Sequence, residues 1–351
     1  MSADTLNFLD AVSGLPEQLA AAHEAAGKVH ADRFPRGDEI RNIVIMGMGG
    51  SGIAGDVVSA AFNDELPVPV IVLKQMRVPA FVGPETLAFA TSYSGDTEET
   101  VSMATAAVEC GAQLVAVSRG GELAGLAERA GALHLPCPDG YMPRAAIGAL
   151  VAPLLVTLFR MGLAPGAHAN LMYAQQQLAR RRAKCAPHVD GAANPAQELA
   201  RKIGRTIPLI YGGGALGGVA AYRWKCDVNE NAKASAFWHQ YPELDHNEVC
   251  AWGQHGDVTR QLISLVELRH GFEHERLGPR FDMTREIIGE CLHQVLSVDA
   301  EGEGRLAQLL DLMYMGDWVS SYLALQNDVD PGPIDAIFDL KARLGQAKID
   351  E

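Results

Sequence analysis

Residues 43–55 read IVIMGMGGSGIAG, an apolar run followed by closely spaced glycines and then by helix-compatible residues. This order predicts a β-strand, a tight turn and an α-helix. Such a turn directs unpaired backbone N–H groups and the positive end of a helix dipole toward one point, which favours an anion such as phosphate. Ser51 adds a hydroxyl group there. The stretch therefore predicts an anion site at the start of an α/β fold.

The same glycines also fit a dinucleotide-binding turn, because Gly47, Gly49 and Gly52 form the pattern G-x-G-x-x-G. A dinucleotide site needs an acidic residue about 20 positions further on, at the end of the second strand. The strand predicted at 68–73 ends in the residues KQMR, so that acidic residue is missing. A nicotinamide-dependent oxidoreductase is therefore only a rival interpretation, which tight NADH binding would favour.

A second polar turn, residues 91–100, reads TSYSGDTEET and follows the strand-like run 87–90. Ser94 or Asp96 is placed to cap a helix that begins near Thr97, so this loop also presents hydroxyls and amides at a helix N-terminus. Both polar turns follow predicted parallel strands. We expect them to converge and to form a phosphate cradle.

Strands and helices alternate along the whole chain, which predicts parallel sheets with ligands at the carboxyl ends of their strands. In the first half we expect strands near 42–47, 68–73, 87–91, 113–117 and 132–136, with helices near 53–63, 97–110, 121–130 and 146–162. Residues 208–219, PLIYGGGALGGV, repeat the opening stretch at an offset of 165, which brings Gly212 onto Gly47. Leu216 then replaces Ser51, so the second copy lacks the hydroxyl and predicts a poor phosphate site.

The rest of the second half predicts strands near 248–252, 262–268 and 292–298, with helices near 195–204, 218–234, 273–290, 303–326 and 335–345. The predicted division is an N-terminal helical segment, a first α/β domain, a helical connector and a second α/β domain. Their ranges are 1–40, 41–163, 164–194 and 195–351. The leading segment is expected to be helical, with one break at Gly14-Leu15-Pro16.

Composition limits the partners of the protein. Its 29 Lys and Arg residues against 43 Asp and Glu residues give a net charge of −14, which disfavours nucleic acid and membrane surfaces. No apolar run approaches the ~18 residues of a membrane span, and the first residues lack a signal-peptide pattern, so we expect a cytoplasmic protein. The six cysteines form no C-x-x-C pair, which indicates neither a zinc site nor a disulfide framework.

The two polar turns together resemble a known family of domains. Gly-Gly-Ser at 49–51, followed by Ser-x-Ser-Gly-x-Thr-x-Glu-Thr at 92–100, resembles the sugar isomerase (SIS) domain. Further motifs, NENAK at 229–233 and PELDHNE at 242–248, resemble the bifunctional phosphoglucose/phosphomannose isomerase family. The resemblance implies an α/β fold with two flavodoxin-like SIS domains, each a parallel sheet flanked by helices.

Four further side chains are candidates for chemistry. Arg144 stands at the start of a predicted helix, where a cation opposes the dipole, so a ligand role competes with that of an ordinary surface arginine. Glu230 stands between two asparagines whose amides could position it as a general base. Histidine is the side chain that changes charge near neutral pH, so His246 is a candidate proton donor to a sugar ring oxygen. Lys341 is expected at the edge of a helix whose buried face is fixed by Leu340 and Leu344.

The resemblance assigns roles to these residues. It implies phosphate binding by Ser51, Ser92, Ser94 and Thr97 with the amides of Gly49 and Gly50. It also implies ring opening by His246 and Lys341, proton transfer by Glu230 through a cis-enediol, and charge stabilisation by Arg144. In the family this histidine comes from the partner subunit, so the resemblance implies a homodimer.

The function implied is the interconversion of glucose 6-phosphate and fructose 6-phosphate, with mannose 6-phosphate as a further substrate, in glycolysis and gluconeogenesis. We expect no cofactor and no metal. A non-catalytic phosphosugar-binding protein is the main rival, although it would not need Glu230, His246 and Arg144 together. One departure is Asp96, which stands where the family commonly has asparagine and would weaken phosphate binding if it faced the ligand.

Overall fold

The computed structural model describes residues 4–189 and 191–346 and contains two parallel sheets. The strands of the first sheet are β1 (Asn42–Met46), β2 (Val70–Leu73), β3 (Thr86–Thr91), β4 (Gln113–Ser118) and β5 (Leu133–Pro136). Their spatial order is β2-β1-β3-β4-β5, the order of flavodoxin-like sheets. All five strands were predicted. This order places the carboxyl ends of β1 and β3 side by side, as the two polar turns require.

The second sheet has four parallel strands, in the order β7-β6-β8-β9. They are β6 (Ile207–Gly213), β7 (Phe237–Tyr241), β8 (Ile263–Arg269) and β9 (Gln294–Asp299). The predicted strand at 248–252 is wrong, because Glu248–Trp252 forms a short 3-10 helix. The missing strand is β7, which pairs with β6 from Phe237 opposite Leu209 to Tyr241 opposite Gly213.

Thirteen α-helices connect and flank the strands in the described part of the chain. They are α1 (Phe8–Ser13), α2 (Leu15–Gly27), α3 (Gly49–Phe62), α4 (Glu98–Glu109), α5 (Gly121–Arg129), α6 (Ile147–Arg160), α7 (Ala167–Cys185), α8 (Pro195–Ile203), α9 (Gly214–Asn231), α10 (Gly256–Leu262), α11 (Leu277–Ile288), α12 (Arg305–Gln326) and α13 (Asp335–Leu344). The leading segment breaks at Gly14, between α1 and α2, as predicted. The division into four domains stays a prediction, and residues 1–3, 190 and 347–351 of its ranges lie outside the described residues.

One large apolar core joins the two halves. It contains buried side chains of β1 and β3 from the first sheet, β6 and β8 from the second, and the helices between them. Helices α6 and α12 lie at its centre, and nearly all of their side chains are buried. Smaller clusters cover the outer face of each sheet. None of the helices in the described residues is long and apolar enough to cross a bilayer.

Helix α13 differs from its prediction. Leu340 and Leu344, expected to be buried, are 57% and 58% exposed, and Phe338 is 62% exposed. No residue of α13 is buried within the single chain. The pattern correctly indicated an amphipathic helix, but none of its apolar side chains is buried against the part of the chain that the structure describes.

Candidate active site

The glycine turn between β1 and α3 has the tight geometry that its sequence predicts. Gly47 has no room for a side chain, because a Cβ atom there would lie 2.5 Å from Oγ1 of Thr91. Gly49 adopts a φ of +53°, a conformation that glycine adopts readily. Oγ1 of Thr91 donates to the backbone oxygens of Met46 and Ser51, at 3.0 Å each. These contacts fix the first turn of α3, with half-buried Ser51 in it, against the end of β3.

The second polar turn forms a connected cluster of hydroxyl groups. Ser92 is 1% exposed, and its Oγ lies 2.8 Å from Oγ1 of Thr97 and 3.4 Å from Oγ of Ser94. The same Oγ accepts a hydrogen bond from the amide of Gly95 at 3.1 Å. Ser94 accepts one from the amide of Asp96 at 3.2 Å. The turn is therefore held by its own hydroxyls beside the glycine turn.

The first turn of α4 receives no side-chain cap. The expectation that Ser94 or Asp96 caps this helix is wrong, since its N-cap residue is Thr97 and no side chain bonds its amides. The Asp96 carboxylate instead accepts the amide of Glu122 at 2.9 Å, at the start of α5. Asp96 is exposed and faces the neighbouring helix. The backbone N–H groups in the first turn of α4 are thus free to donate to another acceptor. Such a group of donors favours binding of an anion.

Arg144 is buried rather than exposed at the surface. It is 6% exposed and lies in the short 3-10 turn Pro143–Ala145 before α6. Its Nε donates to Oδ1 of Asn231 at 2.9 Å, and its Nη2 donates to the backbone oxygens of Pro331 and Gly332 at 2.6 Å each. Nη1 makes no hydrogen bond to the residues that the structure describes. Burial lowers the pKa of Arg144, and the carboxylate of Glu230 opposes that change.

Arg144 also lies against the glycine turn. A Cβ atom built on Gly50 would be 3.7 Å from the Cα of Arg144 and 3.5 Å from the backbone oxygen of Pro143. The hydrogen bond to Asn231 reaches the last turn of α9, which carries Glu230. The structure therefore brings Gly50, Arg144 and Glu230 into one region between the two sheets.

Glu230 is half-buried and lines a cavity of about 540 Å³. The side-chain amides of Asn229 and Asn231 were expected to position the Glu230 carboxylate, but they bond other groups. Asn229 donates to the backbone oxygen of Ala234 at 2.8 Å, and Asn231 donates to Oγ of Ser320 at 2.9 Å. The charge of Glu230 instead acts on the cations of Arg144, Lys233 and Arg223.

Lys233 was not among the predicted site residues, although it lines the same cavity. Its Nζ donates to the backbone oxygens of Asn231, Asp330 and Pro331, at 2.7 to 3.2 Å. Burial and then the charge of Arg144 lower the pKa of Lys233. The sequence could have indicated Lys233 as a site residue, because it stands only three positions after Glu230. Lys233 and Arg144 together hold the chain that precedes α13.

Two predicted residues lie outside this region of the single chain. His246 is exposed at the end of the 3-10 helix Glu243–His246 and does not line the Glu230 cavity. Lys341 is exposed on α13 and does not line it either, although the first residues of α13 do. The single chain therefore does not bring these two side chains to Glu230.

The second glycine turn lacks the features of the first. Leu216, which takes the place of Ser51, is 2% exposed and belongs to the core. At the end of β2, where a dinucleotide site needs an acid, Lys74 pairs with Asp56 of α3. Among the described residues, no three His, Cys, Asp or Glu side chains are grouped as a metal site would need.

Comparisons with known proteins agree with this architecture. A family model described as bacterial phospho-glucose isomerase C-terminal SIS domain matches residues 192–344. A bifunctional phosphoglucose/phosphomannose isomerase from Caldicellulosiruptor bescii is 34% identical over 341 residues, which covers 97% of this chain and 100% of the relative. The enzyme of the same name from Thermoplasma acidophilum is 34% identical over 319 residues, covering 90% of this chain and 94% of the relative.

A solved structure described as a hypothetical protein from Thermus thermophilus has a TM-score of 0.72 to this chain. Its sequence identity is 16%, and the match covers 97% of this chain and 91% of that one. At this identity the likeness concerns the fold alone.

Proposed function

The chain belongs to the bifunctional phosphoglucose/phosphomannose isomerase family, and we propose that it interconverts glucose 6-phosphate, fructose 6-phosphate and mannose 6-phosphate. The observation that carries this proposal is the region where Gly50, Arg144 and Glu230 meet beside the hydroxyl cluster. A reaction of this kind belongs to glycolysis and gluconeogenesis, and the proposed location is the cytoplasm.

The phosphate is proposed to bind where the two polar turns meet. Hydroxyls of Ser51, Ser92, Ser94 and Thr97 surround this point, together with the amides of Gly49 and Gly50. The uncapped amides at the start of α4 add the positive end of a helix dipole. These neutral donors suit a dianionic ligand in a protein whose net charge is −14, because they act locally and are not cancelled by distant carboxylates.

Proton transfer is proposed for Glu230. After ring opening, its carboxylate takes the proton from C2 while O1 gains a proton, which gives the cis-enediol. It then returns a proton to C1 while O2 loses one, which gives the ketose. The buried guanidinium of Arg144 stabilises the negative charge that develops on these oxygens, because a cation held in a fixed position needs no reorganisation. The step requires no cofactor or metal.

Ring opening is proposed for Lys341 and for His246 of a second subunit. Both residues are exposed in the single chain, and Lys341 follows Leu340, whose apolar side chain is exposed as well. Phe237 and Trp238 of β7, which leads to His246, are 57% and 37% exposed. Exposed apolar surface of this kind is typical of interfaces between subunits. A homodimer that covers it would let His246 reach the partner's cavity.

The experiment is a coupled assay of fructose 6-phosphate turnover. We expect the wild-type protein to be active and Glu230→Gln to lose roughly 10²- to 10⁴-fold in kcat, since the amide cannot accept the proton. Glu128→Gln, a change on the exposed end of α5, is the matched control and keeps activity. Absence of wild-type turnover with retained phosphosugar binding would leave the non-catalytic rival.

The same variant tests the shared site. Glu230→Gln and His246→Ala are each expected to be inactive. When the two variants are mixed and their subunits exchange at random, we expect roughly a quarter of wild-type activity to return. The reason is that half of the random dimers contain one intact site out of two. No recovery in a mixture shown to contain heterodimers would contradict the contribution of His246 across the interface.

A further inference from the structure

Arg223 is a buried cation that the proposed mechanism does not use. It lies on α9, seven residues before Glu230, and is 2% exposed. Seven residues are about two helical turns, so both side chains start from the same face of α9. A cation is costly to bury unless it is paired and hydrogen-bonded, so its partners indicate why it is there.

The Arg223 guanidinium contacts three parts of the fold and faces a fourth. Its Nε lies 2.9 Å from Oδ2 of Asp227 on its own helix, and its Nη2 lies 2.8 Å from Oδ1 of Asp317 on α12. Nη2 also donates to the backbone oxygen of Arg144 at 2.7 Å. Nη1 faces the glycine turn, since a Cβ atom built on Gly50 would lie 3.7 Å from it.

The two carboxylates keep this guanidinium charged. Burial alone would lower the pKa of Arg223, but Asp227 and Asp317 together raise it. Asp227 is itself buried, and burial raises its pKa well above the usual value. The charge of Arg223 opposes this change, and the charges of Asp317 and Glu230 add to it. Arg223 therefore holds an interior charge cluster together at the junction of the two halves.

We propose that Arg223 is a positioning residue for the isomerase reaction, fixing the backbone of Arg144 and the turn at Gly50 relative to Glu230 on its own helix. This inference rests on the proposed function. The Arg144 side chain is bonded to Asn231 and to residues 331 and 332, whereas its backbone oxygen is bonded to Arg223. Arg223 thus ties the backbone of Arg144, in the first half, to the helix of the second half that carries Glu230.

The test compares Arg223→Lys with Arg181→Lys. Lysine keeps the charge but lacks the planar fork that spans Asp227, Asp317 and Arg144 at once. Arg181 is a matched control, because it is 5% exposed and bonds Asp311 on the same helix α12, with Nε to Oδ1 at 2.8 Å. It has no part in the proposed site. Thermal unfolding and the kcat and KM for fructose 6-phosphate are measured for both variants.

We expect both variants to unfold at a somewhat lower temperature than the wild type. Only Arg223→Lys should lower kcat by roughly 10- to 100-fold, with KM changed less than about threefold, because a small misplacement of Arg144 affects the transition state more than binding. Equal kcat values for the two variants, or a rise in KM alone, would overturn the positioning role. Loss of wild-type turnover would instead overturn the proposed function.

A second variant covers the case in which Arg223→Lys does not fold. Arg223→Met combined with Asp317→Asn removes the cation and one carboxylate together, and Asp227 can then take a proton, since burial already raises its pKa. We expect a folded protein with the same loss of kcat and little change in KM. A folded double variant with wild-type kcat would overturn the inference.

Discussion

Single residues decide the electrostatics of the proposed site, and Arg144 illustrates how. Its guanidinium lies 4.3 Å from the ring centroid of Phe8 and is bonded to carbonyl and amide oxygens. None of these bonding partners is a carboxylate, so Arg144 forms no direct ion pair with the residues that the structure describes, although the charge of Glu230 acts on it. A cation held in this way can stabilise developing negative charge in a substrate more strongly than an ion-paired arginine could.

The sequence identified Arg144 but not its environment. Its bonding partners Asn231 and Pro331 are 87 and 187 positions away along the chain. The residues next to Arg144 in the sequence carry no information on such distant contacts. An exposed and a buried position of Arg144 were therefore equally plausible from the sequence. The same limit explains the asparagines around Glu230, whose amides bond Ala234 and Ser320 instead of the carboxylate.

A pH effect is expected at His23, whose Nε2 lies 2.9 Å from Nδ1 of His168. Burial and then the charge of His168 lower the pKa of His23, and Glu24 nearby is paired with Lys28. The unfolded chain therefore binds a proton more readily than the folded one. The contribution of His23 to stability is therefore lost as the pH drops below about 6.5, the pKa of histidine in the unfolded chain.

The measurement is the melting temperature at pH 7.5 and at pH 5.5. The melting temperature of the wild type should be lower at pH 5.5 than at pH 7.5. In His23→Gln this decrease should be smaller by about 1–2 °C, because the variant lacks the group that takes up the proton. His188→Gln, at an exposed histidine, is the control and should leave the decrease unchanged. Identical pH dependence in the wild type and His23→Gln would contradict this interpretation.

Elements built on short-range signals were predicted well. The strand, glycine turn and helix from β1 to α3 follow directly from the sequence, because Gly47 has no room for a side chain and Gly49 adopts a positive φ. Strand β7 was missed, since the polar and aromatic residues 237–241 carry a weak strand pattern. Its conformation depends on backbone pairing with β6, which is a tertiary contact.

Helix α13 leads to a prediction about assembly. The double change Phe338→Ser and Leu340→Ser should alter the unfolding of the single chain little, since both side chains are more than half exposed in it. If α13 packs at the subunit interface, the same variant should shift the protein toward monomers and reduce its activity at least several-fold. Sedimentation velocity and the isomerase assay measure these two effects.

The control for α13 is Met172→Ser on α7, an exposed apolar residue elsewhere on the surface. It should change neither the sedimentation coefficient nor the activity. A dimer that survives the double change on α13 would show that this helix lies outside the interface, and its exposed apolar residues would then need another explanation.

At the scale of the whole molecule, the two parallel sheets and their internal repeat could be predicted from the chain. The way the two halves face each other could not, because it depends on buried contacts between distant residues. Arg223 and Arg144 make such contacts between the halves, and the helices α3, α6, α9 and α12 join the sheets in one core. A rigid junction of this kind suits a site whose parts come from both halves.

The central claim is that the phosphate cradle of the first half and Glu230 of the second act on one sugar. A crystal structure with a phosphosugar acid that mimics the enediolate tests it most directly. We predict the phosphate group on Ser51, Ser92, Ser94 and Thr97, and a carboxylate oxygen of Glu230 within about 3.5 Å of the carbon atoms that exchange the proton. A bound phosphate at the cradle with Glu230 directed away from those carbons would contradict the account.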